Sequence, residues 1–282
     1  MARRFISGGR REGDSMIYGY NQVTGKEISC DRTQSTVSHN CGVFGTYGTG
    51  KTVFLQKEIA HILSESNDKV FIIDIDCEYN RYTALCSDFM VKVSDESDIV
   101  IPCDKQLTIF SFTAMPPKKL RSCYKACLES IWQHIQKHQD CYSWIYLEVI
   151  EVLFQSDGGA ALLADIAEET KTHNCSLTFT SAAFEEIYEN SSGKMLLENT
   201  DFVVHFTQLQ RSRKCIQSCY HIDDTLLHFL TDQLAGTGMI KTCNGKAFEP
   251  FSCRSDSSVS WKDVLSLEDE EMVVNSHGKS KN

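Results

Sequence analysis

The sequence predicts an α/β fold, a mostly parallel sheet flanked by helices, with a β-hairpin towards each end. Three observations carry that expectation. Residues 45–52, Gly45-Thr46-Tyr47-Gly48-Thr49-Gly50-Lys51-Thr52, match the phosphate-binding loop G-x-x-x-x-G-K-[ST] at every constrained position; a short apolar run at 41–44 precedes them, and apolar residues at helical spacing over 52–63 follow. Unbroken apolar runs such as 69–74 (KVFIID) then alternate with helical patterns, the rhythm of parallel strands covered on both faces. Near the end, Asn244-Gly245 separates two apolar-patterned segments, the strongest short hairpin signal.

Each element follows in order. Residues 1–15 form an arm made basic by Arg3, Arg4, Arg10 and Arg11, which reads as a disordered starter segment. Residues 16–20 and 27–30 read as strands joined at Asn21-Gln22-Val23-Thr24-Gly25, and 31–40 as a polar loop. After the phosphate loop and its helix, 64–68 is a break before the strand 69–74. Ligands of doubly wound sheets sit at the carboxyl ends of the strands, so Asp74, Asp76 and Glu78 are expected close to the phosphates. Strands are expected at 89–93 and 107–112, and Pro116-Pro117 opens an amphipathic helix reaching about 138. An apolar strand at 143–149, broken only by Glu148, precedes a helix at 159–172, a strand at 175–181, helical segments to 197 and a strand at 202–207. Helices at 211–218 and 223–232 and strands at 239–243 and 246–251 complete the domain, taken as 16–253. Residues 254–282, polar and carrying Glu268-Asp269-Glu270-Glu271, read as a largely disordered tail.

The residue types of the loop fit a polyphosphate. Backbone N–H groups must converge on phosphate oxygens, and Gly45, Gly48 and Gly50 keep side chains out of their way while the helix N-terminus adds its positive end. Lys51 would meet the β- and γ-phosphates of ATP, and the Thr52 hydroxyl would ligate Mg²⁺. Net charge −10 argues against a whole-surface grip on nucleic acid. No apolar run is long enough to cross a bilayer, and 13 cysteines without a signal peptide argue for thiols in a reducing compartment, so a cytoplasmic protein is expected. Cys123/Cys127 and Cys215/Cys219 read as core packing. His134 and His138 share a helix face at the i, i+4 spacing of zinc ligands, but with no third ligand in view they read as a solvated face.

A set of words resembles one family: Tyr18-Gly19-Tyr20-Asn21 with Thr24-Gly25, Asp31-Arg32, Ile72-Ile73-Asp74-Ile75-Asp76-Cys77-Glu78-Tyr79, Asn199-Thr200-Asp201-Phe202-Val203-Val204, Gln208, and Gly236-Thr237-Gly238-Met239-Ile240. The family is the energising ATPase of conjugative type IV secretion systems, the TraC/TraE-like group within the FtsK/HerA superfamily, and the resemblance spans roughly residues 16–251. It implies a RecA-like P-loop NTPase motor, assembled as a homo-hexamer and serving membrane-associated secretion machinery at the inner face of a membrane. Relative to that family the chain looks like a motor core. The family's membrane-docking N-terminal domain is not matched, and its helical insertion is replaced by the short connection from Val93 to Leu107.

The resemblance also implies departures in the hydrolytic residues. Aligning Ser181-Ala182 with the family's Thr-Gln puts Glu148 at the acid that holds the Mg²⁺ shell and Val149 at the acid that orients water. A shift of one makes Glu148 the water activator and leaves Leu147 at the metal position. Lys171 falls where the family has an arginine, and Ala182 replaces a glutamine that senses the γ-phosphate. An arginine finger is worth about 10³ to 10⁵ in rate, and lysine keeps its charge without its planar fork. The expected cofactor-binding set is therefore Gly45 to Thr52 with Asp74, the metal set Thr52 and Glu148, and the catalytic set Lys51, Glu148 and Glu78, with Glu151 a substitute activator. Two readings stay open: a working ATPase with weakened hydrolysis, or a nucleotide-binding subunit that is hydrolytically silent. A HerA-type DNA translocase is a further alternative.

Overall fold

Val70 and Ile72 face one hydrophobic cluster while Phe71 and Ile73 face another, so a strand that alternates by geometry reads as continuous apolar sequence. The computed structural model describes residues 15–79, 90–231, 233–243, 245 and 247–254. The expected arm at 1–15, apart from residue 15, and the expected tail beyond 254 lie outside the described residues.

The described residues build an eleven-stranded sheet in the order β2-β1-β11-β10-β9-β3-β8-β7-β4-β6-β5. Its strands are β1 (Met16–Asn21), β2 (Glu27–Cys30), β3 (Cys41–Phe44), β4 (Lys69–Asp74), β5 (Met90–Val93), β6 (Leu107–Phe112), β7 (Ser143–Leu147), β8 (Cys175–Ser181), β9 (Phe202–His205), β10 (Thr237–Lys241) and β11 (Glu249–Ser252). From β9 to β5 neighbouring strands pair in parallel, whereas β10, β11, β1 and β2 add on as an antiparallel wing. Both expected hairpins exist, and both belong to that one wing. The second differs in its turn: β11 starts at Glu249, opposite Ile240, so the connection is longer than a two-residue Asn-Gly turn, and Asn244 lies outside the described residues.

Helices α1 (Lys51–Glu65), α2 (Pro117–Lys137), α3 (Glu151–Phe154), α4 (Gly159–Glu169), α5 (Phe184–Glu189), α6 (Ser191–Glu198), α7 (Gln210–Tyr220) and α8 (Asp224–Leu227) connect the strands. Helix α1 buries Phe54, Leu55, Ile59 and Ile62 against one face, together with Tyr18 and Phe251 from the wing. Helices α2 to α7 cover the other with residues such as Leu128, Leu163, Ile187, Leu196 and Ile216. Cys123 and Cys127 lie in that core, and every described cysteine is a free thiol. No helix of the described residues is long and apolar enough to cross a membrane.

Candidate functional site

The loop after β3 turns into α1 at Gly50, whose φ of 107° is open to glycine and strained for other residues. The glycines of the loop serve different ends. A Cβ on Gly48, at φ 74°, would meet nothing within 4 Å, so this residue keeps open space open. A Cβ on Gly45 would stand 2.8 Å from Cβ of Phe206, and one on Gly50 would stand 2.9 Å from the Gly236 nitrogen. Those two glycines let the loop lie against the ends of β9 and β10, where the Gly236 N–H donates to the Thr49 carbonyl at 2.8 Å.

The N-terminus of α1 has no side-chain cap, which leaves N–H groups of its first turn for a ligand. Lys51 Nζ donates to the Gly45 and Thr46 carbonyls at 2.7 and 3.1 Å and lies 5.6 Å from the centroid of the exposed Tyr47 ring. Burial lowers the Lys51 pKa below its usual value, and the charges of Glu151, Glu148, Glu78 and Asp76 oppose that shift. The Thr49 hydroxyl donates to the Thr46 carbonyl at 2.7 Å, and the Thr52 hydroxyl donates to the Glu78 carboxylate.

A cleft of about 230 Å³ opens beside the loop. Tyr47, Gly48, Gly50, Lys51 and Thr52 line one side, and Asp76, Glu78, Glu148 and Glu151 bring four acids to it. These acids follow β4 and β7 in the chain, past the carboxyl ends of two strands that lie side by side in the sheet, with Glu151 at the start of α3. Asp74 departs from expectation. It is fully buried and does not line the cleft; its carboxylate accepts the N–H groups of Glu78 and Tyr79, both at 3.1 Å. It holds the turn that presents Asp76 and Glu78. Gly45, Thr46 and Thr49 likewise shape the loop and do not line the cleft.

Glu148, at the end of β7, is buried and accepts the Tyr79 hydroxyl at 3.2 Å. Burial, then the charges of Glu78 and Asp74, push its carboxyl up to about 8. Val149 follows with φ 55°, a left-handed conformation costly for a β-branched residue, and its N–H donates to the Thr180 hydroxyl at 3.1 Å. That twist turns the chain so that Glu151 re-enters the cleft. Its Oε1 accepts the Ser181 hydroxyl and the Ala182 N–H, each at 2.7 Å, and Oε2 is buried with no partner. Lys171 lies elsewhere, at the opposite ends of the strands, donating to the Thr36 carbonyl.

Tyr79 is a contributor that the sequence analysis named only within the words carrying the resemblance, with no role at the site. It is the last residue of the acid-rich word after β4, and only the fold shows its hydroxyl reaching across to Glu148.

A phosphate loop at the end of β3, one strand between it and the acid-bearing β7, and helices on both faces define a P-loop NTPase-like α/β domain. Residues 25–226 match the family described as Helicase HerA, central domain, and the chain belongs to that family. Among curated protein sequences none matches the chain significantly.

The fold is similar to that of VirB4 of Thermoanaerobacter pseudethanolicus, with a TM-score of 0.73 and 12% identity over 88% of this chain and 98% of that one. It is also similar to the Thermomonospora curvata EccC ATPases 2 and 3, solved with a signal sequence peptide (TM-score 0.55, 10% identity, 88% of this chain and 42% of that one). The genome packaging NTPase B204 of Sulfolobus turreted icosahedral virus 2, solved with AMPPCP, gives a TM-score of 0.51 at 13% identity over 75% of this chain and 96% of that one.

Proposed function

We propose that the chain is an ATP-binding, motor-type subunit of the HerA/FtsK class that hydrolyses ATP slowly. The observation that carries this reading is the convergence of Lys51, Thr52 and an uncapped helix N-terminus on one cleft with four carboxylates. The loop amides and Lys51 would hold the triphosphate, Lys51 exchanging its loop carbonyls for phosphate oxygens. The donor set of the Thr52 hydroxyl with Glu78 and Glu148 carboxylates consists of hard oxygens and fits Mg²⁺. Bound there, Mg²⁺ would neutralise charge on the β- and γ-phosphates. Its presence would also keep Glu148 ionised.

Hydrolysis needs a group that orients water. Val149 offers none, and Glu151 is the acid beside it with an unpartnered oxygen, so Glu151 takes that role in this reading. The second reading, a hydrolytically silent nucleotide-binding subunit, is favoured by the three N–H and hydroxyl donors, from Ser181, Ala182 and Ala183, that already hold Glu151 Oε1.

The assembly follows from the same class: a homo-oligomer, hexameric by resemblance to TraC/TraE-like secretion ATPases, working with membrane-associated machinery on the cytoplasmic side. Lys171 stands away from its own cleft, so a nucleotide contact made by this residue would have to be with a neighbouring subunit. A paired assay tests the proposal. ATP with Mg²⁺ should raise the melting temperature and release phosphate, and Lys51→Ala should abolish both. Stabilisation without turnover selects the silent subunit, and no stabilisation at all refutes nucleotide binding. Turnover stimulated by DNA would instead favour a translocase.

A further inference from the structure

At the ends of the strands opposite the nucleotide cleft, three metal-binding side chains converge. His134 and His138 occupy successive turns at the C-terminal end of α2, with ring centroids 4.3 Å apart and planes 25° from parallel. The connection between β5 and β6 lays Cys103 against them. One ligand atom from each of the three lies within 4.8 Å of the other two. The sequence spacing of the histidines alone lacked a third ligand, and the fold supplies it from a distant loop.

We propose that Cys103, His134 and His138 form a binding site for a thiophilic divalent cation of the zinc class. A thiolate and two imidazoles are ligands that such a cation accepts with a fourth position left to water. Metal–ligand bonds of about 2.0 to 2.3 Å in a tetrahedron would draw the ligand atoms to roughly 3.3–3.6 Å from one another. Cys103 and His138 are exposed, so their side chains can close that gap without disturbing the core. His134 is half-buried and edge-on to Phe71, with centroids 5.7 Å apart, which fixes its ring.

The surroundings favour the ligating forms. Nδ1 of His138 lies 2.9 Å from the His134 carbonyl; as an N–H donor there it leaves Nε2 for the metal and fixes the ring's orientation. Burial, helped by the charges of His138, Lys69 and Lys137, lowers the His134 pKa from its usual value, the direction that favours a neutral imidazole. Lys69 Nζ donates to the Cys103 and Lys105 carbonyls at 3.2 and 2.6 Å, so the loop carrying the thiol is already tied to the start of β4. The thiolate charge offsets part of the metal's repulsion from that ammonium. A bound cation staples the β5–β6 connection to the end of α2.

The test titrates the reduced protein, free of nucleotide, with Co²⁺ and then Zn²⁺. The expected result is a one-to-one thiolate-to-cobalt charge-transfer band that Zn²⁺ bleaches, together with a Zn²⁺-dependent rise in melting temperature. Cys103→Ser should remove the band, and His134→Gln and His138→Gln should each weaken binding about tenfold or more, at least the loss that removing a supporting group causes. Metal-free melts of the three variants verify that each folds. A wild-type protein without the band, or a band that survives Cys103→Ser at full strength, overturns the site.

Discussion

Glu148 gathers a local conflict. Its carboxyl is buried among Glu78, Asp74 and Asp76, and Tyr79 donates the side-chain hydrogen bond it receives. With a folded pKa of about 8 against an unfolded value near 4.5, the folded state binds the extra proton between those limits. Stability from this group is therefore complete below about pH 4.5 and is lost as pH rises through about 8, with a slope on the order of 1 kcal/mol per pH unit within the window. In metal-free, nucleotide-free protein, Glu148→Gln should flatten that decline. Urea midpoints at acid, neutral and mildly alkaline pH would reveal it, and parallel curves for both proteins would refute it. The residue was visible in the sequence as an acid inside an apolar strand. Its environment was not, because Tyr79 reaches it from the end of a different strand.

At the scale of elements, the segment before β3 reads as a polar loop yet runs inside the molecule. Asp31 caps a short 3-10 turn, Arg32–Gln34, and Arg32 is only 2% exposed. Its guanidinium donates to Glu58 Oε1 at 2.7 Å, to the Thr178 hydroxyl at 2.9 Å, and to the His39 carbonyl and Ser176 hydroxyl, both at 2.7 Å. Glu58 also accepts the hydroxyls of Tyr18 and Tyr146 at 2.7 and 2.9 Å. This network ties β1, α1, β7 and β8 together under the phosphate loop. Arg32→Met leaves Glu58 a buried uncompensated charge and should cost about 3–5 kcal/mol by chemical denaturation. Arg32→Met with Glu58→Leu should recover much of that loss, and a double variant no better than the single would deny the pairing its role. Short runs rich in apolar and β-branched residues between polar breaks revealed strands such as Leu107–Phe112 and Cys175–Ser181 to the residue. Polar residues that fold inward offer no such local mark, which is why residues 31–40 read only as a polar loop.

For the whole molecule, the parallel core and the antiparallel wing share one sheet, and β11 lies between β1 and β10. A Cβ on Gly19 would stand 2.2 Å from the Ser252 carbonyl oxygen, so the wing closes at backbone contact. Phe251 and Tyr18 then pack with Phe54 of α1 in the same cluster. The described residues should accordingly unfold as one unit: thermal curves from tryptophan fluorescence and far-ultraviolet circular dichroism are expected to coincide, and separate midpoints would divide wing from core. The phosphate loop was legible because its residues are contiguous. The union of the two hairpins and the approach of Cys103 to His134 were not, since both depend on partners far apart in the chain.

That union sets a timetable for synthesis. Tyr20 has Ser252 as its partner in the sheet, so β1, the first of the described strands, stays unmatched on one side until the distant segment around Ser252 has left the ribosome. The parallel layers and their helices can assemble during translation, while the opening hairpin must wait for the closing one to lock it down.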